Sequence, residues 1–443
     1  MEENGPSMYI KHILSLKAHK GNFSSGKKVN VIAIFPDKKH FVSGGSDNFI
    51  KLWDIDGLRE VKRWIQESED YIGEVTTLAI VDNNQFLSGG YDQEVKLWDK
   101  RRNEPLKRFF TGTRCEQIEL SLDKKFFISI DININYPDQH KKTNGKIQLW
   151  DLESSTRIAT PDDESFTSVI FFPSKVPSPD VLGEIILGKL KGGVEYWQIK
   201  KPDTSVTLEK ISEAKKNLTK GSVDAIIYTP SSYPSDKGIF IARVKTGKGN
   251  DILKFEVKNN VNTDVNILKK TSTESRWDGA DWCTGLAFAI FPDNKSILSQ
   301  IGNSLCLWNS YSNISDWAPR RKDLFHIDPN VDKVSSIPNN ICLNTIAILN
   351  NDMIFTGWSD GTIKIWSSHN YPLEPSTRSF LSSWMPSTVK DHMSGYVSLK
   401  SGDDYMRKVD GIEPTGPRGG MKKSKRVYKR SNRIVNKTRS RTN

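Results

Sequence analysis

The stretch Phe41-Val-Ser-Gly-Gly-Ser-Asp-Asn-Phe-Ile-Lys-Leu-Trp-Asp54 decides the fold, because the chain repeats it. A near copy is Phe86-Leu-Ser-Gly-Gly-Tyr-Asp-Gln-Glu-Val-Lys-Leu-Trp-Asp99, and a third is Ile354-Phe-Thr-Gly-Trp-Ser-Asp-Gly-Thr-Ile-Lys-Ile-Trp366. In all three an Asp stands six residues before a Trp: Asp47 and Trp53, Asp92 and Trp98, Asp360 and Trp366. Weaker copies fill the interval: Lys146-Ile-Gln-Leu-Trp-Asp151, Gly193-Val-Glu-Tyr-Trp197, Ile252-Leu-Lys-Phe255 and Ser304-Leu-Cys-Leu-Trp308. The anchor aromatics then recur every 45 to 58 residues, slightly above the ~40–45 of a four-stranded repeat unit.

Each unit has one internal order. An alternating apolar run comes first, as in Val31-Ile-Ala-Ile-Phe35 or Leu286-Ala-Phe-Ala-Ile-Phe291, followed by a turn such as Pro36-Asp-Lys-Lys39 or Pro292-Asp-Asn-Lys295. The Ser-Gly-Gly segment, the Asp turn and the Trp segment complete it. Short alternating runs punctuated by Asp, Gly and Pro are strand signals. No long amphipathic helix is legible before residue 380. The fold class is therefore all-β, and sheets of this size bury their faces by stacking radially, which leaves only short edges.

The pattern resembles the WD40-repeat family over residues 8–368, in seven units. That resemblance implies a seven-bladed β-propeller. In the family a His before the first strand, a Ser or Thr on the second, the turn Asp and the Trp form a hydrogen-bonded tetrad. The first unit supplies His19, Ser43, Asp47 and Trp53; the second Ser88, Asp92 and Trp98 without the His; the last Thr356, Asp360 and Trp366. The middle four units lack the turn Asp, and Phe255 replaces the Trp of the fifth. After Trp366 the chain turns to Tyr371-Pro-Leu-Glu-Pro-Ser376, so the seventh unit lacks an outer strand. The run Tyr9-Ile-Lys-His-Ile-Leu-Ser-Leu16 reads as the strand that supplies it and closes the ring. The domain division expected is a propeller over 1–368, a linker over 369–415 and a basic tail over 416–443.

Charge sets the tail apart. The 443 residues carry 64 Lys and Arg against 53 Asp and Glu, a net +11. Eleven cations and no acid lie in 416–443, among them Lys422, Lys423, Lys425, Arg426, Lys429, Arg430 and Arg433. Subtraction leaves 53 of each sign in residues 1–415, a body of zero formal charge. The tail has too few apolar residues to offset ordering, so a disordered segment that binds nucleic acid or another polyanion, or serves as an import signal, is expected. No stretch approaches the ~18 apolar residues of a membrane span, and the first residues carry neither a basic nor an apolar signal region. Cys115, Cys283, Cys306 and Cys342 are far apart, which excludes a disulfide framework and a Cys-rich zinc site and favours a reducing compartment, cytoplasmic or nuclear.

Catalytic signatures are broken. Gly21-Asn-Phe-Ser-Ser-Gly-Lys-Lys28 has Lys where a phosphate loop needs Ser or Thr for magnesium, and a strand follows it. The seven histidines show no metal-ligand spacing, and no G-x-S-x-G elbow appears. Neither Arg101-Arg102 nor Arg320-Arg321 is followed by Gly, so the phosphoinositide-binding branch of the family is not matched. The reading is a non-catalytic, monomeric scaffold without cofactor that binds a protein or peptide on one face. Tyr91, Trp277, Trp282 and Trp358, at turns or in connecting loops, are the partner-binding candidates, since Trp and Tyr bury much area at small entropic cost. The insertion 131–144 lengthens a turn of the same kind. Two rival readings stand beside it. Trp98-Asp99-Lys100-Arg101 fits the box of propellers that act as substrate receptors of a cullin-type ubiquitin ligase, with Arg101 its informative residue. An RNA- or ribosome-associated propeller dominated by the tail is the other.

Overall fold

The described residues form strands and no helix, and the inner strands, such as His40–Gly45 and Gln85–Gly90, are buried on both faces. The computed structural model describes residues 8–21, 27–67, 73–134, 142–159, 165–173, 179–201, 205–213, 221–229, 236–246, 249–258, 265–273, 287–292, 294, 296–301, 304–309, 341–350 and 353–370. The chain divides into two units, Met1–Lys390 and Asp391–Asn443, and all described residues lie in the first. The tail residues, the 371–415 part of the linker, and both Trp277 and Trp282 lie outside the described residues.

Among the described residues, 27 strands form antiparallel sheets. The chain opens with β1 (Met8–Lys17). Sheet one joins β2 (Val29–Ile34), β3 (His40–Gly45), β4 (Phe49–Asp54) and β5 (Arg59–Ile65). Sheet two joins β6 (Val75–Ile80), β7 (Gln85–Gly90), β8 (Glu94–Asp99) and β9 (Lys107–Phe110). Sheet three joins β10 (Arg114–Leu120), β11 (Phe126–Ile134), β12 (Lys142–Asp151) and β13 (Arg157–Ala159). Sheet four joins β14 (Phe166–Phe172), β15 (Val181–Lys189), β16 (Val194–Lys200) and β17 (Thr207–Glu213). Sheet five joins β18 (Gly221–Thr229), β19 (Asp236–Thr246), β20 (Gly249–Lys258) and β21 (Val265–Thr273). Sheet six shows β22 (Phe288–Ile290), β23 (Ser296–Ile301) and β24 (Ser304–Asn309). The last sheet runs β1, β27 (Thr362–Asn370), β26 (Met353–Trp358), β25 (Leu343–Ile348), so the first strand in sequence pairs with the last.

The first strand of each sheet packs on that of the next, and β25 packs back on β2. Polar side chains mark this succession. Asn344 Nδ2 donates to Val29 O at 3.0 Å, Asn30 Nδ2 to Val75 O at 2.9 Å, Thr76 Oγ1 to Cys115 O at 2.5 Å. Gln117 Nε2 donates to Val169 O at 2.9 Å and Thr167 Oγ1 to Val223 O at 2.6 Å. A side chain thus uses a carbonyl whose own sheet leaves it a free lone pair, so neighbouring sheets are joined by directional bonds as well as by packing.

The cores are rows of apolar side chains between successive sheets. Phe35, Val42, Ile50, Leu52 and Trp64 of sheet one meet Val75, Phe86 and Trp98 of sheet two. The Gly-Gly pair makes that approach close. A Cβ on Gly44 would lie 2.4 Å from Val75 Cγ1, and one on Gly357 would lie 2.6 Å from Val29 Cγ1. The repeated glycine is thus a requirement of sheet-on-sheet spacing.

The insertion 131–144 is not turn alone: Asp131–Ile134 continue β11 and Lys142–Asn144 belong to β12, paired through Ile134 and Lys142. The cysteines are not all unbridged either: Cys342 is disulfide-bonded, whereas Cys115 is free and buried. Separation along a chain says nothing about separation between stacked sheets.

Candidate functional site

Five of the sheets, the first four and the last, carry a buried polar network around their second and third strands. In sheet one, Asp47 follows β3 and turns the chain, its Oδ1 accepting the Phe49 amide at 3.2 Å. His19, in the β1–β2 connection, places Nδ1 2.7 Å from Asp47 Oδ1 and Nε2 2.8 Å from Ser43 Oγ. Trp53 Nε1 donates to the same Ser43 hydroxyl at 2.9 Å. Burial pushes the Asp47 carboxyl up, but the bonds from His19 and from the amides of Phe49 and Lys20 outweigh it and hold it below its ordinary value.

Sheet two builds the same figure without histidine. Gln66, after β5, donates from Nε2 to Asp92 Oδ1 at 2.9 Å and Oδ2 at 3.0 Å, and its Oε1 accepts from Ser88 Oγ at 2.6 Å. Trp98 Nε1 donates to Ser88 at 2.8 Å, and the fully buried Lys96 ammonium pairs with Asp92. In sheet three the acid moves onto the strand: Ser129 Oγ accepts from Trp150 Nε1 at 3.1 Å and donates to Asp131 Oδ2 at 2.9 Å, which also accepts from Gln148 Nε2 at 2.6 Å. Sheet four inverts the charges. Buried Glu195, two residues before Trp197 where Lys51 and Lys96 stand in their sheets, accepts from Trp197 Nε1 at 2.9 Å and pairs with Lys189 at 2.7 Å and Lys210 at 2.8 Å. Opposite charges close together in a dry site offset their desolvation only when hydrogen bonds satisfy the rest.

The last sheet uses a second indole. Trp366 Nε1 at 2.7 Å and Trp358 Nε1 at 2.8 Å both donate to Thr356 Oγ1, which donates to Lys364 O at 3.2 Å. Trp358 thus takes one part of the His19 role, the bond to the Ser or Thr hydroxyl, and not the bond to the turn Asp. Asp360 stays apart from them, accepting from Thr362 N at 3.0 Å and Thr362 Oγ1 at 2.6 Å.

A family model of the WD domain, G-beta repeat, matches residues 10–54, 67–99 and 339–367. The chain carries WD40 repeats at these three segments. No curated protein matches it.

Placed in the WD40 units, the partner-binding candidates separate. Trp358 is corrected: at 1% exposure it is core, packed with Leu343, Ile346, Ile354 and Trp366, with Lys364 Nζ 4.3 Å over its ring. Its position, where other units have the second Gly of Ser-Gly-Gly, looked like an exposed turn because the chain alone does not show the sheet that covers it. Tyr91, in the β7–β8 turn, is half-buried and lies under the Arg114 guanidinium at 4.1 Å. Burial, with Glu116 and Glu74 nearby, pushes its phenol up to about 12, so it stays a neutral donor. Arg101, in the β8–β9 connection, keeps a 68% exposed side chain clamped on Asp99, with Nε to Oδ1 at 2.8 Å and Nη2 to Oδ2 at 2.5 Å. That clamp holds the Asp99 carboxyl down at about 2. Strand β8 runs from the turn of Tyr91 to that of Arg101, so these two residues stand at opposite ends of one sheet, roughly 20 Å apart.

Sequence reasoning missed Gln66, Arg114, Asp131 and Glu195. Gln66 had a signal in its place before the second unit, where the first has His19. Among the described residues no group of His, Cys, Asp or Glu could hold a metal ion, and no helix is long and apolar enough to cross a membrane.

Proposed function

We propose that the chain is a seven-bladed WD40 propeller over residues 1–368, closed by β1, and that it works as a non-catalytic scaffold holding a protein or peptide at the ring end that carries Tyr91. The observation behind this is the Tyr91–Arg114 pair. A half-exposed aromatic ring and a guanidinium are the side-chain types that dominate binding energy at protein interfaces, and each holds the other in place. The polar networks beneath keep the turn rigid, so little order is lost on binding.

The basic residues of 416–443 add contact with nucleic acid or another polyanion on this reading, reached through the linker 369–415. A second reading, adaptor binding in a ubiquitin ligase, is favoured by the clamped and exposed guanidinium of Arg101 at the opposite end. Partners captured by the wild type, Tyr91→Ala, Arg114→Ala and Arg101→Ala chains separate the two. Loss of a partner only with the first two variants supports the Tyr91 end; loss only with Arg101→Ala supports the adaptor. If all variants keep every partner and their melting, both readings fail.

A further inference from the structure

We propose that Trp64 and Lys62 of the first sheet are positioning residues for Arg101, so that the surface Arg101 presents is built jointly by the first two sheets. This rests on the adaptor reading of Arg101 for its partner, while the positioning itself stands on contacts within the chain.

Side chains two apart on a strand share one face. On β5 that puts Lys62 and Trp64 together, half-buried and buried, and both meet the turn that joins β8 to β9. Trp64 Nε1 and Lys62 Nζ each donate to Arg102 O at 2.8 Å, which fills both lone pairs of that carbonyl. Lys62 Nζ also lies 3.4 Å from Lys100 O, so one ammonium bridges the carbonyls of the two residues flanking Arg101. Lys100 anchors the turn in the reverse direction. Its Nζ donates to Asp37 Oδ2 at 2.9 Å, an oxygen that His40 Nδ1 also approaches at 2.9 Å, and lies 5.0 Å from the centre of the Phe35 ring. Phe35 and Asp37 belong to the β2–β3 connection, so the first sheet holds this turn from two of its own segments.

Within the turn, Asp99 Oδ1 accepts the Arg101 amide and Arg101 Nε, each at 2.8 Å, and Arg102 N donates to Asp99 O at 2.9 Å. Asp99 therefore fixes the guanidinium on the turn, and the first sheet fixes the turn in place. Burial pulls the Lys62 ammonium below its ordinary value, and the Asp99 carboxylate opposes that shift. The latch recurs one sheet on: Lys107 of β9 donates to Leu152 O at 2.8 Å and to Glu153 O in the β12–β13 connection. There Glu153 stands where Arg101 does, three residues after the Trp. The latch is thus common to both turns, and its use to present a guanidinium belongs to the second sheet. A side chain already held in place loses little freedom on binding, and that saving raises affinity.

The test is limited trypsin digestion of the full chain, read by mass spectrometry, because Lys100, Arg101 and Arg102 are consecutive cleavage sites in the turn. Lys62→Met keeps the apolar stem and removes the ammonium; Trp64→Phe keeps a ring and removes the N–H. Each should raise cleavage at 100–102 about fivefold or more relative to the other sites of the chain, since cleavage follows the population of the open turn. Lys62→Arg, which reaches the same carbonyls, should restore resistance. Wild-type rates at this turn in either variant, or faster cleavage at all sites alike, overturn the proposal. Affinity for a purified adaptor subunit of a cullin-type ubiquitin ligase should fall about tenfold in Lys62→Met and Trp64→Phe and recover in Lys62→Arg. Full affinity in a variant whose turn has loosened also overturns it. If the wild-type chain binds no adaptor, the adaptor reading falls, and the digestion alone decides whether the first sheet positions Arg101.

Discussion

Gln66 stands to Asp92 as His19 stands to Asp47: its Nε2 lies 2.9 Å from Asp92 Oδ1, and its Oε1 receives the Ser88 hydroxyl that the Trp98 indole also uses. An amide offers both a donor and an acceptor, as a neutral imidazole does, so it completes the same chain of bonds. Gln66→Ala should cost about 1–3 kcal/mol, the penalty for leaving buried partners unsatisfied, whereas Gln66→His should retain most of the stability. Chemical denaturation of both variants gives the comparison, and equal loss in the two would show that the site does not accept an imidazole.

Asp131 predicts a pH effect. Burial pushes its carboxyl to about 7 from an ordinary 3.8, against the opposing bonds from Ser129 and Gln148. Between those values the folded chain keeps the proton that the unfolded chain releases. Its contribution to stability is therefore greatest below pH about 4, falls as pH rises to about 7, and is lost above. At ~1.36 kcal/mol per pH unit the fall from this residue is about 4 kcal/mol. Glu119, also pushed to about 7 by burial, titrates in the same window, so the difference between wild type and Asp131→Asn is the readout. The variant should melt higher at pH 8 and show a shallower slope from pH 4 to 7; identical slopes would refute the assignment.

Trp358→Ala should lower stability by about 3–5 kcal/mol, as truncation of a buried large ring does. Trp358→Phe keeps most of the volume and removes only one donor to Thr356, so a loss nearer 1 kcal/mol is expected. Thermal melting of the pair separates packing from hydrogen bonding. Partner affinity should follow neither change at temperatures where the variants remain folded.

Removal of residues 1–17 should open the edge of β27, which now pairs with β1 from Met8 to Lys17. The backbone amides of Ala18 and His19 both donate to Gly361 O at 2.9 Å, so the clasp extends past the strand. The truncated chain should melt lower and self-associate through the bared edge. A monomer with unchanged melting would refute the closing role of the strand.

If the tail tethers the protein to about six phosphates, binding to duplex nucleic acid should fall with a log–log salt slope near −5. Residues 1–415 alone carry no net charge and should lose nearly all of that dependence. The salt titration on both chains decides; equal slopes would place the contact within residues 1–415.

Local pattern carries the repeat, the strand order within it and the single complete tetrad, because these depend on neighbours within about fifty residues: alternation, the Asp turn and the Ser-to-Trp spacing. It also determined the separation of a neutral body from a cationic terminus, which is simple counting. What replaces a missing tetrad member is settled by contact in three dimensions: Gln66 reaches Ser88 and Asp92 from 22 and 26 residues away, whereas Trp358 and Glu195 lie two residues from Thr356 and Trp197, and no local pattern reports which polar atom then fills a vacated bond. Burial decided the rest. Trp358 and Tyr91 look alike as aromatics beside a turn Asp, yet the sheet packed over Trp358 makes it core, while Tyr91, with the Arg114 guanidinium over its ring, stays only partly buried.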